Sequence, residues 1–186
     1  LTGIPAPSKV VVTETHAGSV TLEWRSRPDP LTGFLIVVQP AAAGAGGRPA
    51  EHTVPPGARA FTVTGLQPGV RYVISIYAVR GGRRSQPVTV TTATAVDSPT
   101  GLKVTSTEDS LTLGWTRPRA SITGYLLTCQ AARGGPAREH LPDVSATQYT
   151  ITDLQSNTEY VFSLVAVQDT VRSHPLRGSF RTGEPA

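Results

Sequence analysis

The sequence predicts an all-β protein made of two tandem sandwiches of about seven strands each. Three observations carry this reading: an internal repeat, an apolar period of two, and turn signals at short intervals. Val20-Thr21-Leu22-Glu23-Trp24 recurs as Leu111-Thr112-Leu113-Gly114-Trp115, and Leu31-Thr32-Gly33-Phe34 as Ile122-Thr123-Gly124-Tyr125, each 91 positions on. Phe61-Thr62-Val63-Thr64-Gly65-Leu66 recurs as Tyr149-Thr150-Ile151-Thr152-Asp153-Leu154, and Tyr72-Val73-Ile74-Ser75 as Tyr160-Val161-Phe162-Ser163, now 88 positions on. The first copy therefore carries three extra residues, and the Ala/Gly-rich stretch from Ala41 to Pro49 is where a flexible loop tip would hold them. The predicted modules are residues 1–94 and 95–186, with almost no spare linker.

Each element follows from residue order. Val20, Leu22 and Trp24 alternate with polar or small neighbours, as do Phe61 and Val63, then Tyr72, Ile74, Ile76 and Ala78. The second copy repeats the pattern with Leu111, Leu113 and Trp115, with Tyr149 and Ile151, and with Tyr160, Phe162, Leu164 and Ala166. A period of two places one side of each segment in a core and the other in solvent, which is a strand and not a helix. Ala17-Gly18, Pro28-Asp29-Pro30, Pro55-Pro56-Gly57, Gln67-Pro68-Gly69 and Gly81-Gly82 separate the first copy's segments as turns.

Composition narrows the class. Eighteen Gly and 16 Pro beside 38% hydrophobic and 16% charged residues describe a turn-rich, folding chain. A single cysteine, Cys129, excludes an intramolecular disulfide and any zinc site built on several thiolates. At period two from Tyr125 and Leu127, its thiol is expected to face the core, where it would be inert. No apolar run reaches the roughly 18 residues of a membrane span, so no membrane insertion is expected. The 186 residues contain no Met and no signal-like leader, which is what a piece of a longer protein would show.

In each copy a Trp near the end of the second strand is followed by a Leu and, six residues later, a Tyr: Trp24, Leu66 and Tyr72, then Trp115, Leu154 and Tyr160. The spacing fits a tyrosine corner, in which the hydroxyl hydrogen-bonds back to the chain while the ring fills the core of an immunoglobulin-like sandwich. An antibody-type domain needs two cysteines per copy. Lacking them, each copy resembles a fibronectin type III module over nearly its whole length. The pair further resembles a heparin-binding pair of fibronectin. Val96-Asp97-Ser98-Pro99-Thr100 and Trp115-Thr116-Arg117-Pro118-Arg119-Ala120 carry the likeness in the second copy, and Trp24-Arg25-Ser26-Arg27 with the segment from Arg59 to Gly69 in the first. Modules of this family also occur in other matrix proteins and in receptor ectodomains. The resemblance implies a secreted, non-catalytic fragment of the extracellular matrix.

Charge points to a partner. The formal net charge is +4. Residues 1–94 hold nine Lys or Arg against four Asp or Glu, and residues 95–186 hold eight against nine, so the first module carries the excess. In this topology three connections of the first module should meet at one pole and collect Arg25, Arg27, Arg59, Arg80, Arg83 and Arg84, opposed there only by Asp29. Guanidinium groups fork two donors toward one oxyanion, so the arrangement suits sulfate, phosphate or carboxylate arrays; the bland alternative is solubilising loop charge. The resemblance implies heparin or heparan sulfate as the polyanion. It places Arg25, Arg27 and Arg59 at cationic positions of the heparin-binding module, with Lys9 replacing a basic residue of the first strand, and matches Arg117 and Arg119 to a Pro-Arg-Ala segment near the intermodule joint. Arg48 and Arg71 are expected to neighbour that joint, while Arg133 and Arg138 are expected to be ordinary surface charge. Single-stranded nucleic acid binding usually adds exposed aromatics for stacking. Most of the eleven aromatic residues fall at inward positions instead, so no nucleic acid is expected.

Further candidates are weaker. Arg80-Gly81-Gly82 occupies a loop where a fibronectin module displays Arg-Gly-Asp to integrins, but a metal-bridged contact needs the missing carboxylate. Asp97 resembles the acid of a short segment through which the family's heparin-binding region engages integrins; the alternative is an ordinary linker Asp. His16, His52, His140 and His174 lie on separate segments, and no nucleophile, base and orienter converge. No catalysis, cofactor or metal is therefore expected. A spacer or receptor-ectodomain pair making protein contacts, including matrix self-assembly, is the other reading, and the apolar outer-phase residues Leu35 and Val37 would serve it.

Overall fold

The computed structural model describes residues 3–42 and 49–184, and the chain divides into two units, Leu1–Ala95 and Val96–Ala186. The Ala41 to Pro49 loop tip, and Arg48 with it, lies largely outside the described residues. The first unit contains β1 (Ser8–Thr15), β2 (Val20–Arg25), β3 (Gly33–Pro40), β4 (Ala50–Val54), β5 (Ala60–Val63), β6 (Arg71–Arg80), the two-residue β7 (Arg83–Arg84) and β8 (Val88–Ala93). One sheet has the order β1-β2-β5, and the other the order β4-β3-β6-β7 with β8 also on β6. β7 and β8 together form the seventh strand, interrupted at residues 85–87, where Pro87 has no N–H to give a ladder.

The second unit repeats this with β9 (Thr100–Ser106), β10 (Leu111–Thr116), β11 (Gly124–Ala131), β12 (Arg138–His140), β13 (Gln148–Ile151), β14 (Glu159–Gln168), β15 (Val171–Arg172) and β16 (Leu176–Arg181). Its sheets are β9-β10-β13 and β12-β11-β14-β15 with β16 on β14. No helix occurs among the described residues. Each unit is a seven-stranded antiparallel sandwich.

The alternating residues make the cores. Val20, Leu22 and Trp24 are buried while Glu23 and Arg25 face solvent, and Tyr72, Ile74, Ile76 and Ala78 are buried on β6. Each fully buried aliphatic or aromatic side chain contributes about 1.5–3 kcal/mol, and Leu22, Phe34, Ile36, Ile74 and Ile76 lead the first core. Trp24 meets Phe34 edge-on at 5.4 Å, and Trp115 meets Tyr125 at 5.3 Å. Cys129 belongs to the second core.

Both tyrosine corners are formed. The Gln67 N–H donates to the Tyr72 hydroxyl at 3.0 Å, and the Gln155 N–H to that of Tyr160 at 2.9 Å. Buried polar side chains repeat as well: Ser85 accepts from the Ala78 N–H and Ser173 from the Ala166 N–H, both at 2.9 Å. Such bonds satisfy backbone groups that the interrupted last strand would otherwise leave unpaired.

Candidate functional site

Hydrogen bonds draw three connections of the first unit to one end of the sandwich. The Trp24 N–H donates to the Arg59 carbonyl at 3.0 Å, joining the β4–β5 connection to the end of β2. The Thr32 N–H donates to the Val79 carbonyl at 2.8 Å, and the Gly81 N–H to the Thr32 hydroxyl at 3.2 Å, joining the β2–β3 connection to the β6–β7 tip. Arg25 projects outward because Trp24 points inward, one residue earlier on the pleat. Arg59 is anchored: its Nη1 donates to the carbonyls of Pro56 at 2.9 Å and Ala58 at 2.7 Å, and its guanidinium carbon lies 5.7 Å from the Phe34 ring centroid. Such anchoring lowers the entropy lost when a ligand arrives.

A shallow pocket of about 310 Å³ is lined by Lys9, Val11, Glu23, Trp24, Arg25 and Arg59. Three cations from three distant segments thus share one concavity on the outer side of the β1-β2-β5 sheet. All three are exposed, so each can reach an anion without losing hydration to a buried environment.

The wider arginine cluster is not all gathered there. Arg84 lies with its guanidinium carbon 5.3 Å from the Tyr77 centroid, on the outer side of the other sheet, because its cross-strand partner Val79 fixes it in that phase. Arg80 pairs with Arg83 at the β6–β7 tip, and Arg27 is exposed on the β2–β3 connection; none of the three lines the pocket. The acid inside the pocket is Glu23, an outward neighbour of Arg25 two residues away on β2. Asp29 is therefore not the only opposing charge at this end. The period-two pattern that exposes Arg25 also exposes Glu23.

In the second unit Arg117 and Arg119 are exposed on the β10–β11 connection. Asp97 braces that connection, since its Oδ2 accepts from the Arg119 N–H at 2.6 Å and its Oδ1 from the Ala120 N–H at 2.9 Å. Both carboxylate oxygens are engaged, so Asp97 is not a free acid waiting for a metal-bridged partner. Arg71 is exposed on β6. Arg133 and Arg138 do more than solvate the surface, since Arg133 donates to the Gln155 side chain and Arg138 to the Thr152 carbonyl at 2.7 Å.

Leu35 does not open an apolar outer face. It is 6% exposed, flanked across the ladder by Thr53 and Tyr77, and Val37 beside it is half-buried. Among the described residues the exposed large apolar ones are Val11, 50% exposed, in the first unit and Leu141, Val161, Val171 and Phe180 in the second, with Leu141 highest at 79%.

His140, read from the sequence as lying on a segment of its own, has a partner in the fold. The His140 ring lies 5.2 Å from Tyr149, whose hydroxyl meets Nδ1 at 3.2 Å, while the buried Nε2 has no partner. The pair links β12 of one sheet to β13 of the other. Burial, and then the charge of Arg138, hold His140 below its ordinary pKa. Burial raises the Cys129 thiol pKa, opposed by Arg138, which leaves the thiol protonated and unreactive. Among the described residues no group of three or more His, Cys, Asp or Glu could hold a metal ion, and no helix is long and apolar enough to cross a membrane.

The fibronectin type III domain family matches residues 5–91 and 97–179. Mouse tenascin is 36% identical over 99% of the chain, and chicken tenascin 35% identical over 96%. The chain spans only 9% and 10% of the length of these two curated relatives. A solved two-domain fibronectin type III segment of chicken tenascin superposes with a TM-score of 0.73 at 26% identity, covering 96% of this chain and all of that one. These likenesses are to tenascins, and they do not carry the narrower reading of fibronectin itself as the parent. The repeat, the paired tyrosine corners and the matches over both copies make the chain a tandem pair of non-enzymatic modules belonging to the fibronectin type III family.

Proposed function

We propose that this chain is an extracellular-matrix segment, secreted as part of a longer protein, whose first module binds heparin or heparan sulfate. The observation that carries the reading is the convergence of Lys9, Arg25 and Arg59 around one pocket. Each cation–sulfate pair at an exposed site is worth about 0.2–1 kcal/mol by analogy with surface ion pairs, so binding needs several at once and weakens with salt. Arg27, Arg80 and Arg83 lie at the same end and would extend the field to a longer chain. Arg84, on the outer side of the other sheet, would add only long-range attraction. An integrin contact through Asp97 would have to displace two backbone hydrogen bonds, so it forms no part of the proposal. The likeness to tenascins supports a tenascin-type parent over fibronectin.

The test is elution of the full chain from immobilised heparin. Release above physiological salt, with earlier release after Arg25→Ala and Arg59→Ala together, supports the reading. Elution at or below physiological salt, or unchanged elution of the double variant, defeats it. A second reading, protein contacts through the second module, is favoured by exposed Leu141 beside a pocket lined also by Val144 and Val167. Salt-insensitive capture of a matrix protein, abolished by Leu141→Ser, would support that alternative.

A further inference from the structure

The end of the second module that corresponds to the arginine pole carries different chemistry. The Thr123 N–H donates to the Val167 carbonyl and the Asp169 N–H to the Thr123 hydroxyl there, as Thr32 links to Val79 and Gly81 in the first module. A pocket of about 730 Å³ opens at this end, with apolar walls from Leu126, Leu141, Val144 and Val167 and with Asp143 and Asp169 also lining it. The first module has Thr53, Pro55 and Gly81 at the places of Leu141, Asp143 and Asp169, each 88 positions earlier. The sandwich therefore needs neither the exposed leucine nor the two acids. One oxygen of Asp143 accepts from the Ser145 N–H and hydroxyl, while the Asp169 carboxylate has no partner among the described residues. Arg172 also lines the pocket but forms no ion pair with either acid. Tyr125 lines it too, and its buried hydroxyl has no hydrogen-bond partner; the first module has Phe34 at that place.

A complementary piece stands in the first module. Arg80 and Arg83 lie directly opposite each other across the β6–β7 ladder, and like charges so placed work against the hairpin. The second module has Gln168 opposite Val171 there, so the fold does not require the arginines. Both are exposed, and neither forms an ion pair with a described residue. At Gly81 and Gly82 an added Cβ would meet nothing within 4 Å, so the tip between the arginines is narrow and stands clear of its own module. Two guanidinium groups at such a tip present forked donors suited to carboxylates, on aliphatic stems that lie readily along apolar surface.

We infer that the β6–β7 tip of one copy docks in the second-module pocket of another, with Arg80 and Arg83 reaching Asp143 and Asp169 while their stems cover Leu141. The inference rests on the second reading above, protein contacts through the second module, and names the partner as a second copy of this chain. A free cation would leave Leu141 uncovered. A wholly apolar partner would bury the Asp169 carboxylate without a counter-charge, which is costly. The tip answers both demands, two cations for two acids and apolar stems for an apolar wall. Tip and pocket are different surfaces, so the contact is heterologous and can run from copy to copy without closing. A two-arginine tip in one pocket falls below the roughly 1,200 Å² of the smallest standard interfaces, which makes the contact weak and transient.

The experiment is sedimentation velocity of the full chain at rising concentration, without heparin, which would draw on the same arginines. Asp143→Asn/Asp169→Asn is the pocket variant and Arg80→Gln/Arg83→Gln the tip variant. Asparagine can still accept from Ser145 at position 143, and it tolerates the left-handed backbone at position 169, where φ is +52°. The parent should associate, and less so as salt rises. Each variant alone should stay monomeric over the range in which the parent associates. Their equimolar mixture should give dimers and nothing larger, because one intact tip and one intact pocket remain; that rescue also shows that both variants fold. A parent that stays monomeric overturns the inference, as does association of either variant at the parent's level or a mixture without dimers. A monomeric parent that still captures a matrix protein through Leu141 would overturn the choice of partner alone, and loss of both association and capture would remove the second reading as well.

Discussion

Replacing Glu23 with Gln should tighten polyanion binding, and a gain is harder to mistake for damage than a loss. Glu23 is exposed on β2, lines the pocket with the three cations, and sits across the ladder from Val11 and Ala60, neither of which is charged. A bound sulfate would meet one like charge among three opposite ones. At exposed positions each such pair is worth about 0.2–1 kcal/mol, so removing the repulsion should lower Kd by about 1.5- to 5-fold near physiological ionic strength. Glutamine keeps the shape and the β2 register, so the stability of the sandwich should stay within about 0.5 kcal/mol of the parent. The assay is titration calorimetry of the full chain with a size-defined heparin oligosaccharide across several salt concentrations. The gain should shrink as the Debye length falls from about 8 Å at physiological salt to about 3 Å at 1 M. Equal or weaker binding of Glu23→Gln at low salt would refute the placement of the anion in this pocket.

The fold makes further predictions. Tyr72→Phe should cost about 1–3 kcal/mol, because the half-buried Gln67 N–H loses its acceptor, and chemical denaturation of the first module would measure it; a loss under about 0.5 kcal/mol would contradict the corner's role. Gly33→Ala should destabilise the first module by about 1–3 kcal/mol or more, since the new Cβ would fall 2.5 Å from the Val54 carbonyl oxygen, whereas Gly124→Ala in the second module meets nothing within 4 Å and should be mild. The second module should lose stability on acidification. His140 is held below its ordinary value of 6.5, so the unfolded chain takes up a proton first; the stabilisation is complete above about pH 6.5 and declines as pH falls through the folded value. Denaturant midpoints at stepped pH should show the decline in the parent and not in His140→Gln. Asp143, held low chiefly by the Ser145 side-chain hydrogen bond, should act only in more acid solution, below its ordinary 3.8.

Much of the architecture was legible because strand burial is written in the sequence with a period of two. Val20, Leu22 and Trp24, or Tyr160, Phe162 and Leu164, announce their inward faces, and the Leu-to-Tyr spacing announces the corners. What the pattern could not supply was the phase of charged residues relative to one another across strands. Arg84 and Arg59 both belong to one end, yet Arg84 follows Val79 onto one outer face while Arg59 lies over the buried Phe34 ring and beside β1. Glu23 was missed because a pole drawn from the loops and strand ends ignores an outward residue inside the strand, two positions before Arg25. Asp97 reads as a free linker acid until folding brings it to the Arg119 and Ala120 amides, 22 and 23 residues on.

The internal repeat then supplies what a single module could not. Two copies with the same corners, the same buried Ser and the same Trp-to-carbonyl hydrogen bond establish which features the fold requires. Features present in one copy alone are not needed for the sandwich and must be explained otherwise. Lys9, Arg25 and Arg59 meet that condition together, and Glu23 meets it too, for Gly114 stands at its place in the second copy. A selective pressure for cation density alone would have no use for Glu23 in the pocket. On the proposed reading its carboxylate opposes a sulfate bound beside Arg25, so binding would depend on several sulfates arriving together rather than on any one. The gain expected for Glu23→Gln measures that opposition directly, and it should fade as salt screens the field.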